Sequence, residues 1–295
     1  LDSLDDTTYI EKFLNNRMTL TRLESCKIDS KKLDSLLKSQ SNPTLLSTLR
    51  SFEPGHNGFV DPPLYQQGTT GRTVVKHGPK ILTLKRDFRQ IFKSRYPGGK
   101  IFQLDYTSLE PRIMLSLSNN EVPEDVYDHI ADQVGLNLDR TKLKIAVMGA
   151  LYGISAVRLQ TMLSRTADAS IVLDKIKRSF KINELGNRLS RENEETGRIV
   201  NYYGRPLTFS KPDKHLFVSH YVQSTGVDVC LEGFGKIIDY IKNNNLRANP
   251  VYIIHDALLI DVAPEHFKDL EKISEPGTSV SRFDTFFPIS ISSAF

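Results

Sequence analysis

The sequence predicts an α+β fold in which an antiparallel sheet supports a helical lobe. Three observations carry this expectation. Strand-like runs stand in three separated places: KIFQLD at Lys100–Asp105, the paired arms of NPVYIIHDALLIDVAP, and FFPISIS near the C-terminus. Helical periodicity dominates the interval from Val126 to about Arg198. A second long helical stretch, HLFVSHYVQSTGVDVCLEGFGKIIDYIKNN, separates that interval from the last strands.

Taken in order, residues 1–50 read as helical, with the periodic run LDSLLKSQSNPTLLSTLRSF interrupted at Pro43. Residues 51–80 are rich in Gly and Pro and read as short strands and turns. KIFQLD leaves a turn at Gly98–Gly99 and runs into SLEPRIMLSLSN, which reads as helix despite Pro111. GRIVNYYGRPLTF reads as a hairpin around Gly204, and the arms of NPVYIIHDALLIDVAP meet near His255–Asp256.

The chain has 295 residues and is 39% hydrophobic, enough for more than one lobe. No apolar run approaches the roughly 20 residues of a membrane span, so no membrane partner is expected. The N-terminus, LDSLDDTTYIEKF, lacks the basic-then-apolar order of a secretory signal, and a start at Leu reads as a processed or trimmed product. Cys26 and Cys230 stand far apart without metal-type spacing, which fits a reducing, intracellular compartment. The net charge of +4 is uneven. Arg72 to Lys100 holds nine Lys or Arg against Asp87 and is +8 by itself, leaving −4 for the rest. Such a segment reads as a polyanion-facing strip or as a solvated basic face.

Two acids end or turn strands among apolar residues, Asp105 in QLDYTSLEPR and Asp256 in IIHDALLIDV. A buried, unpaired carboxylate is unfavourable by several kcal/mol. A second acid beside it is worse unless divalent cations neutralise both, as where carboxylates hold two Mg²⁺ about 3.5–4 Å apart for in-line phosphoryl transfer. A lone Asp is more often a turn or cap residue, and these two stand 151 positions apart in sequence. In RTKLKIAVMGALYGIS, Arg140, Lys144, Met148 and Tyr152 recur every fourth residue, on one helical face. Arg140 and Lys144 climb about 6 Å along that face, the reach of a triphosphate.

These stretches resemble the motifs of the DNA polymerase I family, the family A polymerases. LDYTSLEPR resembles its first catalytic motif, DYSQIELR; RTKLKIAVMGALYG resembles its nucleotide-binding helix; IIHDALL resembles its third motif, VHDE. TTGR, FRQIF, YYGRPLTF and YVQSTGVD resemble four further segments, so that seven motifs stand in the family's order. The resemblance runs from about residue 36 to the C-terminus.

It implies a right-hand polymerase fold with an antiparallel palm sheet, α-helical fingers and a reduced or truncated thumb. The implied divisions are 1–68 for a partial thumb and its connection, 69–118 for the first part of the palm, 119–215 for the fingers and 216–295 for the second part of the palm. Residues 1–68 are fewer than the family's thumb needs and hold no DxE-type exonuclease pattern, so the resemblance implies either a compact polymerase with a reduced thumb or the C-terminal part of a longer chain. The implied activity is template-directed addition of deoxynucleoside triphosphates to a primer 3′-hydroxyl, with two Mg²⁺ ions, or Mn²⁺ as their substitute. The implied partners are primer–template DNA, dNTPs and a replication or processivity accessory protein, with the chain a monomer in a bacterial or phage-infected cytoplasm or an organelle. A non-catalytic DNA-binding scaffold and a single-subunit RNA polymerase relative remain alternative readings.

By the same resemblance, Asp105 and Asp256 hold the metal with the main-chain carbonyl of Tyr106, Lys144 meets the α and β phosphates, and Arg140 the γ phosphate. Met148 stands where the family has an aromatic ring beside the sugar. Tyr152, beside the small Gly149, borders the pocket of the incoming base, and Gly153 allows close backbone approach. Tyr106 and Met148 pad the edges of that pocket. Glu110 excludes a 2′-hydroxyl, and Tyr127 replaces a phosphate-contacting His with a phenol. Ala257 replaces the Glu that follows the family's last catalytic Asp. Arg72, Arg89, Arg205, Gln223 and His255 face the primer–template duplex, Arg72 and Gln223 at minor-groove acceptors that are much alike for every base pair.

Overall fold

The computed structural model describes residues 4–118, 122–135, 138–164, 167–207, 209 and 214–295. In chain order its first elements are α1 (Leu4–Thr19), β1 (Cys26–Ile28), α2 (Ser30–Ser39), α3 (Pro43–Arg50), β2 (Phe59–Val60), β3 (Leu64–Gln67), β4 (Thr73–His77), β5 (Phe92–Lys93) and β6 (Lys100–Tyr106). Then come α4 (Leu109–Leu117), α5 (Val126–Val134), α6 (Arg140–Leu151), α7 (Ala156–Met162), α8 (Ala169–Ser179), α9 (Ile182–Thr196), β7 (Ile199–Val200) and β8 (Pro206–Leu207). The chain closes with α10 (Phe217–Asn243), β9 (Ala248–Ile254), β10 (Ala257–Val262), α11 (Leu270–Ser274) and β11 (Ile289–Ser293). They form two compact units, one of Ser108–Gly226 and one of Asp2–Thr107 with Val227–Phe295.

The helical expectation over residues 1–50 holds for α1, α2 and α3 and fails between them. Cys26–Ile28 is a strand, paired with Val60 on one side and Phe92 on the other. Three residues are too few to show a period, so its partners and not its own pattern define it. Leu1, Asp2 and Ser3 of that stretch, and Thr208 of the YYGRPLTF segment, lie outside the described residues. Pro43 opens α3, where its missing N–H is of no consequence, and Asn42 caps the helix by accepting from Thr44 and Leu45 N–H.

In the larger unit a four-stranded antiparallel sheet runs β11-β6-β10-β9. Leu258 lies opposite Leu104 and Ile260 opposite Phe102, so alternation divides the side chains between two faces. On one face Tyr106 packs on Phe234 of α10, with ring centroids 5.5 Å apart, and donates to the Gly277 carbonyl at 2.7 Å. On the other, Tyr252 packs against Phe52 and Phe92. Both faces are therefore covered, which explains why the β9 and β10 runs are apolar almost throughout. The buried Asp261 is the exception in β10. It accepts from Ser94 Oγ and Arg95 N–H, and burial raises its carboxyl above the usual range.

The helical unit is held by side-chain caps. Asp125, Asp139, Ser155 and Asp168 each accept backbone N–H groups at the starts of α5, α6, α7 and α8. α8 packs against α5, α6, α7 and α9. The core includes Leu115, Ile130, Val147, Leu159, Ile176, Leu189 and Phe217.

The contact under Tyr106 leaves no room at Gly233. A Cβ there would meet Tyr106 Oη at 1.8 Å and the Gly277 carbonyl at 2.8 Å. Gly233→Ala should destabilise the protein by about 1–3 kcal/mol, as overpacking a core does. In the Tyr106→Phe background, where the obstructing oxygen is gone, the same change should cost less. Denaturant unfolding of the two single variants and the double variant checks this, and strictly additive losses would rule the contact out.

Candidate active site

Residues of the larger unit come first. In β6 and β10, Asp105 lies opposite Ala257, and Tyr106 N–H donates to the Asp256 carbonyl at 3.1 Å. The two acids, 151 residues apart in sequence, thus occupy neighbouring positions at the ends of paired strands. Asp256 follows His255 in a two-residue turn, since Ala257 pairs back with Ile254. His255 takes φ 55°, the left-handed conformation that such turns demand and that glycine usually supplies. His255 is exposed and Asp256 half-buried.

Asp105 has supports that the sequence reading missed. Gln103, two residues earlier and so on the same face, donates from Nε2 to Asp105 Oδ2 at 3.2 Å and accepts from Arg89 Nη1 at 2.8 Å. Burial lowers the pKa of the Arg89 guanidinium, with Arg86 adding to the shift and Asp105 opposing it. Strand alternation alone could have flagged Gln103. Arg72 is exposed in the turn between β3 and β4. Tyr106 departs from expectation. Its ring is buried and its hydroxyl is engaged by Gly277, so the side chain is framework and cannot border a nucleotide pocket; only its main chain remains as a ligand.

In the helical unit, α6 buries Leu143, Ala146, Val147, Ala150 and Leu151, and this three-and-four spacing turns Arg140 and Lys144 to the exposed side. Met148 is partly buried against the core. Tyr152 caps the C-terminus of α6, and its hydroxyl donates to Glu110 Oε2 at 2.5 Å. The two glycines have structural reasons. A Cβ on Gly149 would lie 2.9 Å from Ile154 Cγ2, and Gly153 takes φ 72°. Close packing by Ile154 and a left-handed turn therefore account for them.

Tyr127 also departs from the phenol contact expected of it. It is buried, its hydroxyl bonds to Ser108, and burial pushes the phenol above its usual range. It presents its ring to Arg140, whose Cζ lies 5.5 Å from the ring centroid. Arg140 Nη2 donates to Asp125 Oδ2 at 2.7 Å and Nη1 to Asp128 Oδ1 at 3.0 Å. The Arg140 bond holds the Asp125 carboxyl below the usual range. Arg205 is buried in the hairpin turn, where Asn201 N–H donates to its carbonyl. Gln223 is half-buried on α10.

A family model described as DNA polymerase family A matches residues 75–276. The chain belongs to DNA polymerase family A. It is similar to the DNA polymerase I of Caldicellulosiruptor bescii, 24% identical over an alignment of 264 residues that covers 76% of this chain and 30% of that protein. Among solved structures it is similar to the POL domain of Pol1 from M. smegmatis in complex with DNA primer-template and dNTP, with TM-score 0.69 and 19% identity. That match covers 90% of this chain and 56% of the other. The chain thus spans under a third of the curated relative and just over half of the solved one. The likeness carries the fold, the α+β architecture of a family A polymerase domain. Among the described residues no helix is long and apolar enough to cross a membrane.

Arg112, the last residue of the LEPR segment, is a residue to which the motif resemblance assigns no role. It is buried, and donates to the carbonyls of Pro123 at 3.0 Å and Glu124 at 2.5 Å. It thereby fixes the chain entering α5, whose first turn holds Arg140. Arg112→Met should leave both carbonyls without that donor, cost about 1–3 kcal/mol, and speed amide exchange in the first turn of α5 more than in α8. Equal protection in both helices would remove the positioning role.

Proposed function

We propose that the chain is the template-directed polymerase domain of a DNA polymerase, adding deoxynucleoside triphosphates to a primer 3′-hydroxyl. The observation that carries the reading is the β6–β10 pairing, which sets Asp105 and Asp256 side by side within the two motifs that family A uses for chemistry. Residues 69–118 and 216–295 take the role of the palm, 119–215 that of the fingers and 1–68 that of the thumb connection, whereas the compact units divide at Thr107/Ser108 and Gly226/Val227.

The donor set fits Mg²⁺. Hard divalent cations take oxygen ligands, and Mg²⁺ is commonly held by one or two carboxylates together with substrate phosphates. Asp105, Asp256 and the Tyr106 carbonyl would hold the ions, which when bound supply charge neutralisation for attack of the 3′-hydroxyl on the α phosphate with departure of pyrophosphate. Gln103 holds one oxygen of Asp105 and so orients the other. Lys144 and Arg140, exposed on one face of α6, suit a triphosphate laid along that helix. Glu110, restrained by Tyr152, presents a fixed carboxylate edge against a 2′-hydroxyl. Arg72 and Arg89 supply cations for the duplex backbone and minor groove, which reads pair geometry without sequence.

Primer extension on the purified chain tests this directly. Asp256→Asn should reduce extension by at least about a hundredfold, on the scale of removing one preorganised electrostatic group, while circular dichroism and duplex binding stay near wild type. A wild-type chain that binds duplex and dNTP without extending the primer would overturn the reading.

Glu110→Ala should raise the ratio of ribonucleotide to deoxynucleotide kcat/KM by about tenfold or more, each 1.4 kcal/mol of lost exclusion being a factor of ten. Single-nucleotide insertion with matched ribo- and deoxynucleotides reads that ratio. If truncation leaves it fixed, the gate is elsewhere.

A further inference from the structure

The first turn of α5 places three groups on Arg140. Asp125 and Asp128 take its two terminal nitrogens, at 2.7 and 3.0 Å, and the Tyr127 ring lies beneath its central carbon at 5.5 Å. A guanidinium binds phosphate best through the same paired N–H groups that these carboxylates occupy. The two acids are not equivalent. Asp125 is the N-cap of α5, accepting Tyr127 and Asp128 N–H at 2.9 and 3.0 Å, so it has work in the fold whether or not Arg140 is present. Asp128 makes no cap bond. It lies on the exposed side of the first turn, and its side chain is 74% exposed.

We propose that Asp128 sets how tightly the chain takes a nucleoside triphosphate, by holding Arg140 whenever no triphosphate is bound. The proposal rests on the reading of Arg140 as the γ-phosphate contact. A triphosphate must displace Asp128 from Nη1 and then remains close to a repelling carboxylate. Both effects oppose binding, so removing the charge strengthens it. The pair is exposed and screened by salt, which keeps the effect modest, about two- to fivefold in affinity at moderate ionic strength.

The test is equilibrium binding of a deoxynucleoside triphosphate, and separately of inorganic tripolyphosphate, to the full chain with primer–template. Asp128→Asn should tighten both about two- to fivefold, and the gain should shrink as salt rises. Asp132→Asn, the same charge change one turn along α5, should leave both unchanged. In the Arg140→Ala background the Asp128→Asn gain should vanish. Unchanged or weaker binding by Asp128→Asn in a chain that still extends primers sinks this inference alone, and so does a gain that persists without Arg140. Absence of triphosphate binding and of extension in the wild type sinks the functional reading and this inference with it.

Discussion

The pairing of β6 with β10 is the constraint on which the rest depends. Asp105 and Asp256 are remote in sequence, and only this pairing brings their backbones to neighbouring positions. The sheet supplies the necessary rigidity. Asp105 is fixed by its place opposite Ala257, and Asp256 by a turn so short that His255 must adopt a left-handed backbone. Main-chain hydrogen bonds from Tyr106 to Asp256, and from Thr107 to Pro288, tie the strand end to both neighbours. Both acids stand at one end of this hydrogen-bonded ladder, Asp105 near the end of β6 and Asp256 in the turn between β9 and β10.

That ladder is supported from both faces. Tyr106 points away from Asp105 by strand alternation and locks onto α10 through Phe234 and onto the following loop through Gly277. Glu232, one turn before Lys236 on α10, accepts from the backbone and the hydroxyl of Ser281 and holds the segment beyond that loop. On the opposite face, Arg89 and Gln103 extend a polar chain to Asp105 where a purely apolar contact would leave the carboxylate without a donor. A tyrosine in the first motif therefore belongs to the scaffold, and a glutamine outside the motif's recognised residues belongs to the site.

Much of this was legible in the sequence, for identifiable reasons. β9 and β10 announced themselves because they are buried on both faces and rich in Ile, Val and Leu. α6 was legible because its apolar positions are spaced three and four apart. Asp105, Asp256, Glu110 and Tyr152 were legible as members of ordered motifs. What stayed hidden depends on partners remote in sequence. β1 has three residues and exists only through Val60 and Phe92. The burial of Tyr106, Tyr127 and Arg205 is decided by what packs on them, and a motif match cannot distinguish a phenol aimed at a ligand from one satisfied by Gly277 or Ser108. Gly149 and Gly153 suggested a gap for a ligand, whereas Ile154 and a positive φ account for them.

The charged residues of both units share one arrangement: each cation proposed to meet substrate and given a defined partner already has one from the protein. Arg89 has Gln103, and Arg140 has Asp125 and Asp128. On the proposed reading, binding DNA or nucleotide would be an exchange of hydrogen-bond partners, with a net gain smaller than the strength of either contact. Such a site gives up affinity, since part of the interaction with phosphate is offset by the contact it replaces. Lys144 differs in kind. It is exposed on α6 and carries three donors on a flexible stem, so it can follow phosphate oxygens as they move, whereas the planar Arg140 fork must first be released. If the proposed triphosphate contacts hold, the two cations of the α6 face would divide the task, one adaptable and the other preset against an internal competitor.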